Sequence, residues 1–247
     1  METSQGIVNP WEGAPIRVVE RTSSTMEDAA LLSLTGCPTG AVVVAGFQEK
    51  GRGRVPGRAW VSPAWESLLA TVVVRIAELE FPLSELPLRA GVAVALAVEE
   101  SAGIPVEIKW PNDLMVGGKK LAGLLCETRG DAALIGFGVN CAQTEFPPDL
   151  TGTACSLFQV CGRGVPVFPL LRAILARLKN SLSDPAWRLH LRERLSLRGQ
   201  WVSVDLLGSG TTVEGILREV DEEGRLVLQL QDGQTAKISQ GEIRPSR

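Results

Sequence analysis

Between residues 46 and 60 the chain reads GFQEKGRGRVPGRAW, which sets Lys50, Arg52, Arg54 and Arg58 against the single acid Glu49 and spaces them with Gly51, Gly53, Pro56 and Gly57. Glycine lets a backbone approach an anion and offer its N–H groups, and arginine presents a planar fork matched to phosphate or carboxylate oxygens. The string alone admits three readings: a solvated loop, an arginine–glycine segment that binds RNA, or a cradle for a small phosphate compound. RNA-binding segments of this kind are long, repetitive and interleaved with aromatics. This one is short and lies between two strand patterns. A second polar concentration is KWPNDLMVGGKKLAGLLCE, residues 109–127, where Lys109, Asn112 and Asp113 crowd a strand junction and Lys119-Lys120 enter an apolar strand. It reads either as a turn with solvated lysines or as a cation aimed into a pocket. In GFGVN, Gly136 and Gly138 weaken a strand interior unless something packs against the backbone. In SST, Ser24 has the position of a helix cap.

The whole chain narrows what these groups can serve. Its 25 Lys and Arg against 28 Asp and Glu, with pI about 5.4, make non-specific nucleic-acid binding through bulk charge a poor explanation, so any anion site is local. There is one histidine, His190, in the charged run WRLHLRERL, and no tyrosine. A histidine-rich zinc site is therefore unavailable, and a Ser-His-Asp triad would rest on a helix-surface histidine. Five cysteines without a CxxC, an N-terminus with neither basic start nor apolar run, and the lack of a bilayer-length apolar segment together point to a cytoplasmic protein with no membrane partner.

The elements that must position these residues follow from periodicity. IRVVE (16–20) reads as a strand, then a helix from Ser24, with Glu27 at capping-box spacing and Gly36 as the stop. AVVVAGF (41–47) and SLLATVVVR (67–75) read as strands joined by the arginine–glycine loop, and 87–102 as an apolar helix closed by Gly103. VEIKW (106–110) leads into a hairpin through Gly117-Gly118, and AALIGFGVN (132–140) pairs on after Gly130-Asp131. Residues 141–165 read as a long connection, followed by helices over 169–183 and 185–197. From Arg198 short strands alternate with turns such as Gly208-Ser-Gly, the grammar of a small SH3-like barrel. The expected fold class is α+β, a mixed sheet packed with helices over residues 1–197 and a barrel over 198–247.

The order SST, then Q-x-x-GRGR with GR-x-W-x-SP, then KWPND, KLAG and G-x-G-x-N, closed by a small barrel, resembles the biotin protein ligases over roughly residues 16–247. The resemblance implies the class II synthetase-like catalytic fold of biotin and lipoate ligases. It also implies the reaction: biotin joined to the α-phosphate of ATP with Mg²⁺, pyrophosphate released, and the biotinyl group passed to a lysine of a biotin carboxyl carrier domain. Ser24 and Thr25 would bond the ureido ring, and Gln48 the biotin or its acyl end. Gly51, Arg52, Gly53 and Arg54 would close over the acyl-adenylate. Lys120 would hold the biotin carboxyl and the α-phosphate, and Gly123, Leu125, Gly136 and Gly138 would line the pocket. Trp60 would cover the ligand, with Asn112, Asp113 and Asn140 on the nucleotide side. Arg54 and Lys120 carry the catalytic assignment.

Three departures from the family pattern stand out. Met26 stands where the family usually has asparagine, two residues (Val55 and Pro56) stand where one is common, and the first strand begins by residue 16, without the helix-turn-helix of the repressor branch. The expectation is a ligase with no nucleic-acid partner, and a homodimer through a sheet edge is left open. The nearest rival is a lipoate or octanoate ligase of the same superfold, and a more distant one a nucleic-acid-binding module using the basic loop.

Overall fold

The computed structural model describes residues 7–55, 57–208 and 210–246. Pro56 of the arginine–glycine loop, Ser209 of the expected turn and the first six residues lie outside them.

The chain opens with β1 (Ile16–Thr22), α1 (Thr25–Ser33), β2 (Val42–Gln48) and β3 (Ser67–Arg75). It continues through α2 (Leu86–Ala102), β4 (Glu107–Lys109), β5 (Asp113–Val116), β6 (Lys119–Arg129) and β7 (Ala132–Asn140). These seven strands form one sheet in the order β1-β2-β3-β7-β6-β5-β4, parallel only between β1 and β2, so it is mixed as expected. One face carries α2 and α4 (Val167–Ser181). Leu170, Leu171, Ile174, Leu175 and Leu178 recur at helical spacing on the inner face of α4. Helix α2 is rich in alanine and valine and buried on nearly all sides, which lets α4 and the sheet approach it from two directions. Among the described residues α1 is the one helix packed on the opposite face, which leaves room there for loops.

Three helix expectations are corrected. Ser24 caps α1 by accepting from Met26 N at 3.3 Å and not in a capping box with Glu27; the helix proper ends at Ser33, and i→i−3 turns carry the chain to Gly36. The capping box belongs instead to Ser156 and Gln159, which open a short α3 (Leu157–Cys161) inside the stretch expected to be a plain connection. The last helix, α5 (Trp187–Arg194), stops short of 197 because Leu195 bridges Ile108 and Ser196 N donates to Ile108 O at 2.9 Å. The chain leaves the helix to cover the outer edge of β4.

A second, antiparallel sheet is built from β8 (Trp201–Asp205), β9 (Thr212–Val220), β10 (Leu226–Gln229), β11 (Thr235–Ile238) and β12 (Glu242–Pro245), in the order β11-β10-β9-β8-β12. It is the five-stranded arrangement expected of an SH3-like barrel. Its apolar residues join the same core as α2 and the larger sheet. Trp110 Nε1 donates to Gly224 O at 3.0 Å, and Arg188 bridges Glu85 to the carbonyls of Asp221 and Glu222. The tryptophan of KWPND is thus a buried bolt between the two sheets.

Candidate active site

The strand register lays the polar motifs out in rows across the face that carries α1. One row runs Leu69, Gly138, Gly123, Asp113, Lys109 across β3, β7, β6, β5 and β4. The next runs Val43, Thr71, Gly136, Leu125. Gly123 and Gly138 are direct cross-strand partners and Gly136 lies one side-chain repeat along β7, so three missing side chains make a trough. It is already partly filled: a β-carbon built on Gly138 would lie 2.6 Å from the Trp60 ring, and one on Gly136 2.7 Å from Met26 Sδ. These glycines are explained by close approach of Trp60 and Met26 to the backbone.

Lys120 reaches the trough because of a bulge. The β5–β6 register shifts between Leu114 and Met115, so Leu121 is the extra residue. Without it, period-2 alternation would put Lys120 on the α2 face. With it, Leu121 is buried in the core and Lys120 turns to the glycine side, Nζ lying 2.7 Å from Asp113 Oδ1 and 3.1 Å from a β-carbon built on Gly123. The lysine backbone is fixed as well, its N–H donating to Thr153 O at 2.8 Å and its carbonyl accepting from Cys155 N at 2.9 Å. Its ammonium lies 5.9 Å from the centre of the Trp60 ring.

At the far end of the trough the start of α1 presents a hydroxyl relay. Thr71 Oγ1 donates to Thr25 Oγ1 at 2.8 Å, and Thr25 donates from both N and Oγ1 to Gln48 Oε1 at 2.7 and 2.9 Å. Ser24 and Thr25 are buried beside it.

The arginine–glycine loop is a small hairpin over this face. Arg52 bridges Ala59, Gly53 N donates to Arg58 O at 2.9 Å, and Trp60 N to Gly51 O at 3.0 Å. Arg52 rests 3.6 Å from Glu127. The tip docks on the second sheet: Arg54 Nη2 donates to Gly241 O at 2.7 Å, and Arg58 Nη1 pairs with Glu242 Oε1 at 2.6 Å. Burial pushes the Arg54 guanidinium below its usual range, which Glu242 and Asp113 partly offset. Arg54 Nε and Trp60 Nε1 are buried without a hydrogen-bond partner. Burial likewise pulls Lys109 below the ordinary lysine value, against the attraction of Asp113.

The expected residues therefore gather on one face, with two exceptions. The Asn140 amide is spent within the protein, Nδ2 donating to Cys155 O at 3.0 Å and Oδ1 accepting from Gln143 and Ser67. Asn112 Nδ2 donates to Leu124 O at 2.7 Å and stitches the bulged hairpin. Both side chains brace the trough wall. Residues with no assigned role in the sequence reading also join the site. Lys109 ends the row of Gly138, Gly123 and Asp113 and was legible within KWPND. Gly241 and Glu242 are 187 and 184 residues from their partners in the loop, with no local signal. His190 sits on α5, away from these rows.

Among the described residues no group of three His, Cys, Asp or Glu could hold a metal ion, and no helix is long and apolar enough to cross a membrane. A surface concavity of about 450 Å³ beside Glu27, Ala30, Leu31, Leu34 and Arg129 lies on the outer side of α1, outside the trough.

Comparison with known proteins agrees with this layout. Residues 18–141 match the model of the biotin/lipoate A/B protein ligase family. The chain is 34% identical over 236 residues to the biotin--[acetyl-CoA-carboxylase] ligase of Mycobacterium tuberculosis, covering 92% of this chain and 87% of that protein. It is 33% identical over 230 residues to the bifunctional ligase/repressor BirA of Bacillus subtilis, covering 85% of this chain and 68% of that one. Its fold superposes on the Aquifex aeolicus biotin protein ligase in complex with biotin and ATP with a TM-score of 0.84 at 28% identity, covering 94% and 99% of the two chains.

Proposed function

Since the chain belongs to the biotin/lipoate A/B protein ligase family, we propose how its own residues carry out the ATP-dependent activation of biotin and its transfer to a carrier-domain lysine. The observation that carries this reading is the trough: Gly123 opposite Gly138 under Trp60, with a bulge aiming Lys120 at one end. The chain is a ligase with biotin and ATP as substrates.

In the first step a biotin carboxylate oxygen bonds to the α-phosphorus of ATP, and the bond to the pyrophosphate oxygen breaks. Anions are brought together, so the reaction calls for fixed cations and not for a protein nucleophile. Lys120 lies where the carboxylate and α-phosphate meet; Arg54 and Arg52 close from the hairpin, and Lys109 extends the cation row toward the departing pyrophosphate. Mg²⁺ comes with the ATP phosphates and neutralises their charge. Asp113, in the same row, suits an ion held mainly by phosphate oxygens and water. The hydroxyl relay of Thr25 and Gln48, with Ser24, meets the polar ring, and Leu125 its apolar face, with Trp60 and Met26 seated on Gly138 and Gly136. Trp60 and the hairpin exclude water from the adenylate. In the second step the amine of a carrier lysine attacks the biotinyl carbonyl and AMP leaves.

The acceptor in this reading is the biotin carboxyl carrier domain of a carboxylase. Residues 1–197 form the catalytic unit and 198–247 a barrel that holds the hairpin tip. A second copy pairing along the outer edge of β1 is tested by light scattering after size exclusion. The reading needs no nucleic-acid partner, and strongly salt-dependent RNA or DNA binding would count against it.

The deciding experiment is exchange of labelled pyrophosphate into ATP with biotin, lipoate or octanoate, followed by transfer of labelled biotin to a carrier domain. Biotin-dependent exchange and labelling of one carrier lysine are expected. Exchange driven only by a fatty acid would move the chain to the lipoate branch.

A further inference from the structure

We propose that Met26 forms the inner end wall of the acid-binding trough and decides how much bulk the ring end of a biotin-like acid can carry. This rests on the reading of the trough as the biotin site. The carboxylate end is fixed by chemistry at Lys120, beside Gly123 and Gly138. A ligand body running from there along β7 reaches Gly136 one side-chain repeat, or about 7 Å, further on. Met26 crosses the strand at that point. It is 5% exposed, its backbone N–H is tied to the Ser24 hydroxyl at 3.3 Å, and its Sδ and Cγ lie 2.7 and 3.3 Å from a β-carbon built on Gly136.

Behind it the next row is closed by Val73 and Leu134, both fully buried. Thr71 and Thr25 line one flank and Leu125 the other, so hydrogen bonds hold the ring from the side while a thioether stops it end-on. Asparagine, which the biotin protein ligases usually carry after the Ser-Thr pair, would offer the ring an amide. Methionine offers only contact, and its three rotatable bonds let the wall yield in part.

The test compares wild type, Met26→Ala, Met26→Leu and Met26→Asn in pyrophosphate exchange with biotin and with biotin methylated on a ureido nitrogen. Wild type is expected to prefer biotin. Met26→Ala lowers the ratio of kcat/KM values by about tenfold or more, the scale at which an apolar wall discriminates a methyl group. Met26→Asn, which is shorter, lowers it in the same direction, and Met26→Leu leaves it within about twofold. An unchanged ratio in a folded Met26→Ala, or equal loss on both acids, would make Met26 a core residue only and overturn the proposal. If Met26→Ala does not fold, Met26→Asn decides by the same ratio. Wild-type protein without biotin-dependent exchange would overturn the reading of the site itself, which separates that failure from this one.

Discussion

Lys120 Nζ lies 2.7 Å from Asp113 Oδ1, on a face the lysine reaches only because Leu121 bulges out of the β5–β6 register. The carboxylate holds the ammonium in place at the end of the glycine trough. Because Lys120 packs no core, Lys120→Ala is expected to keep the wild-type melting temperature. Biotin-dependent pyrophosphate exchange should fall by about 10²–10³-fold, as when a single group stabilising transition-state charge is lost. Near-normal exchange would show that another cation meets the reacting phosphate. Asp113→Asn should lower the rate less, since it frees the lysine without removing it.

Gly138 is a sharper probe of the roof. An alanine methyl there would sit 2.6 Å from Cε2 of Trp60 and must displace the indole, whereas on Gly123 it meets the movable end of Lys120 at 3.1 Å and only the edge of the ring, Cζ3, at 3.2 Å. Gly138→Ala is expected to reduce kcat/KM by about 10²-fold, the scale of a 1 Å misplacement, with little change in circular dichroism. Gly123→Ala should cost less. A smaller roof in the double variant Gly138→Ala, Trp60→Leu should return part of the activity; a double variant no better than Gly138→Ala would assign the loss to the strand and not to the tryptophan.

Much of this was legible before the structure because period and punctuation are local. β3 was bounded to the residue, since SLLATVVVR is β-branched between turn signals, and α2 ended at Gly103, whose φ of +72° suits glycine. The glycines of GFGVN flagged a close approach without naming what approached. What stayed hidden depends on pairing between distant segments. The bulge at Leu121 is set by β5 meeting β6, and nothing in KKLAG marks it. α5 ends early because an edge 80 or more residues upstream offers Leu195 a bridge to Ile108. Asn140 was placed toward the nucleotide from motif order, yet its amide is used up by Cys155 and Gln143. A motif reports which residues occur together, not which way each points.

Lys109 gives a prediction in which stability and activity move apart. Burial holds its folded-state pKa below that of the unfolded chain, so the folded state binds this proton less tightly. The resulting penalty is fully present at neutral pH, and it fades as pH rises through the window just under the unfolded value of about 10.4. Lys109→Met should therefore melt at a higher temperature than wild type at pH 7, with the gap narrowing by pH 10, while pyrophosphate exchange falls. A variant less stable at pH 7, or a gap that widens with pH, would contradict the assignment.

The pair formed by Arg58 and Glu242 bears on how the hairpin keeps the adenylate. Arg58 is well exposed, so the ion pair contributes about 0–1 kcal/mol to stability, and Glu242→Gln should leave the melting temperature nearly unchanged. The same energy acting on hairpin opening changes the open-to-closed ratio by about fivefold at most. That is enough to release adenylate, which would then label lysines of a bystander protein. Arg54→Gly removes both the bond to Gly241 O and a phosphate cation, so its leakage should exceed that of Glu242→Gln. Added salt should raise wild-type leakage toward that of Glu242→Gln, because an exposed pair is screened, and raise the variant's less. Bystander labelling by Glu242→Gln equal to wild type at every salt concentration, alongside strong leakage by Arg54→Gly, would mean that Arg54 alone retains the adenylate and that the second sheet does not steer the hairpin.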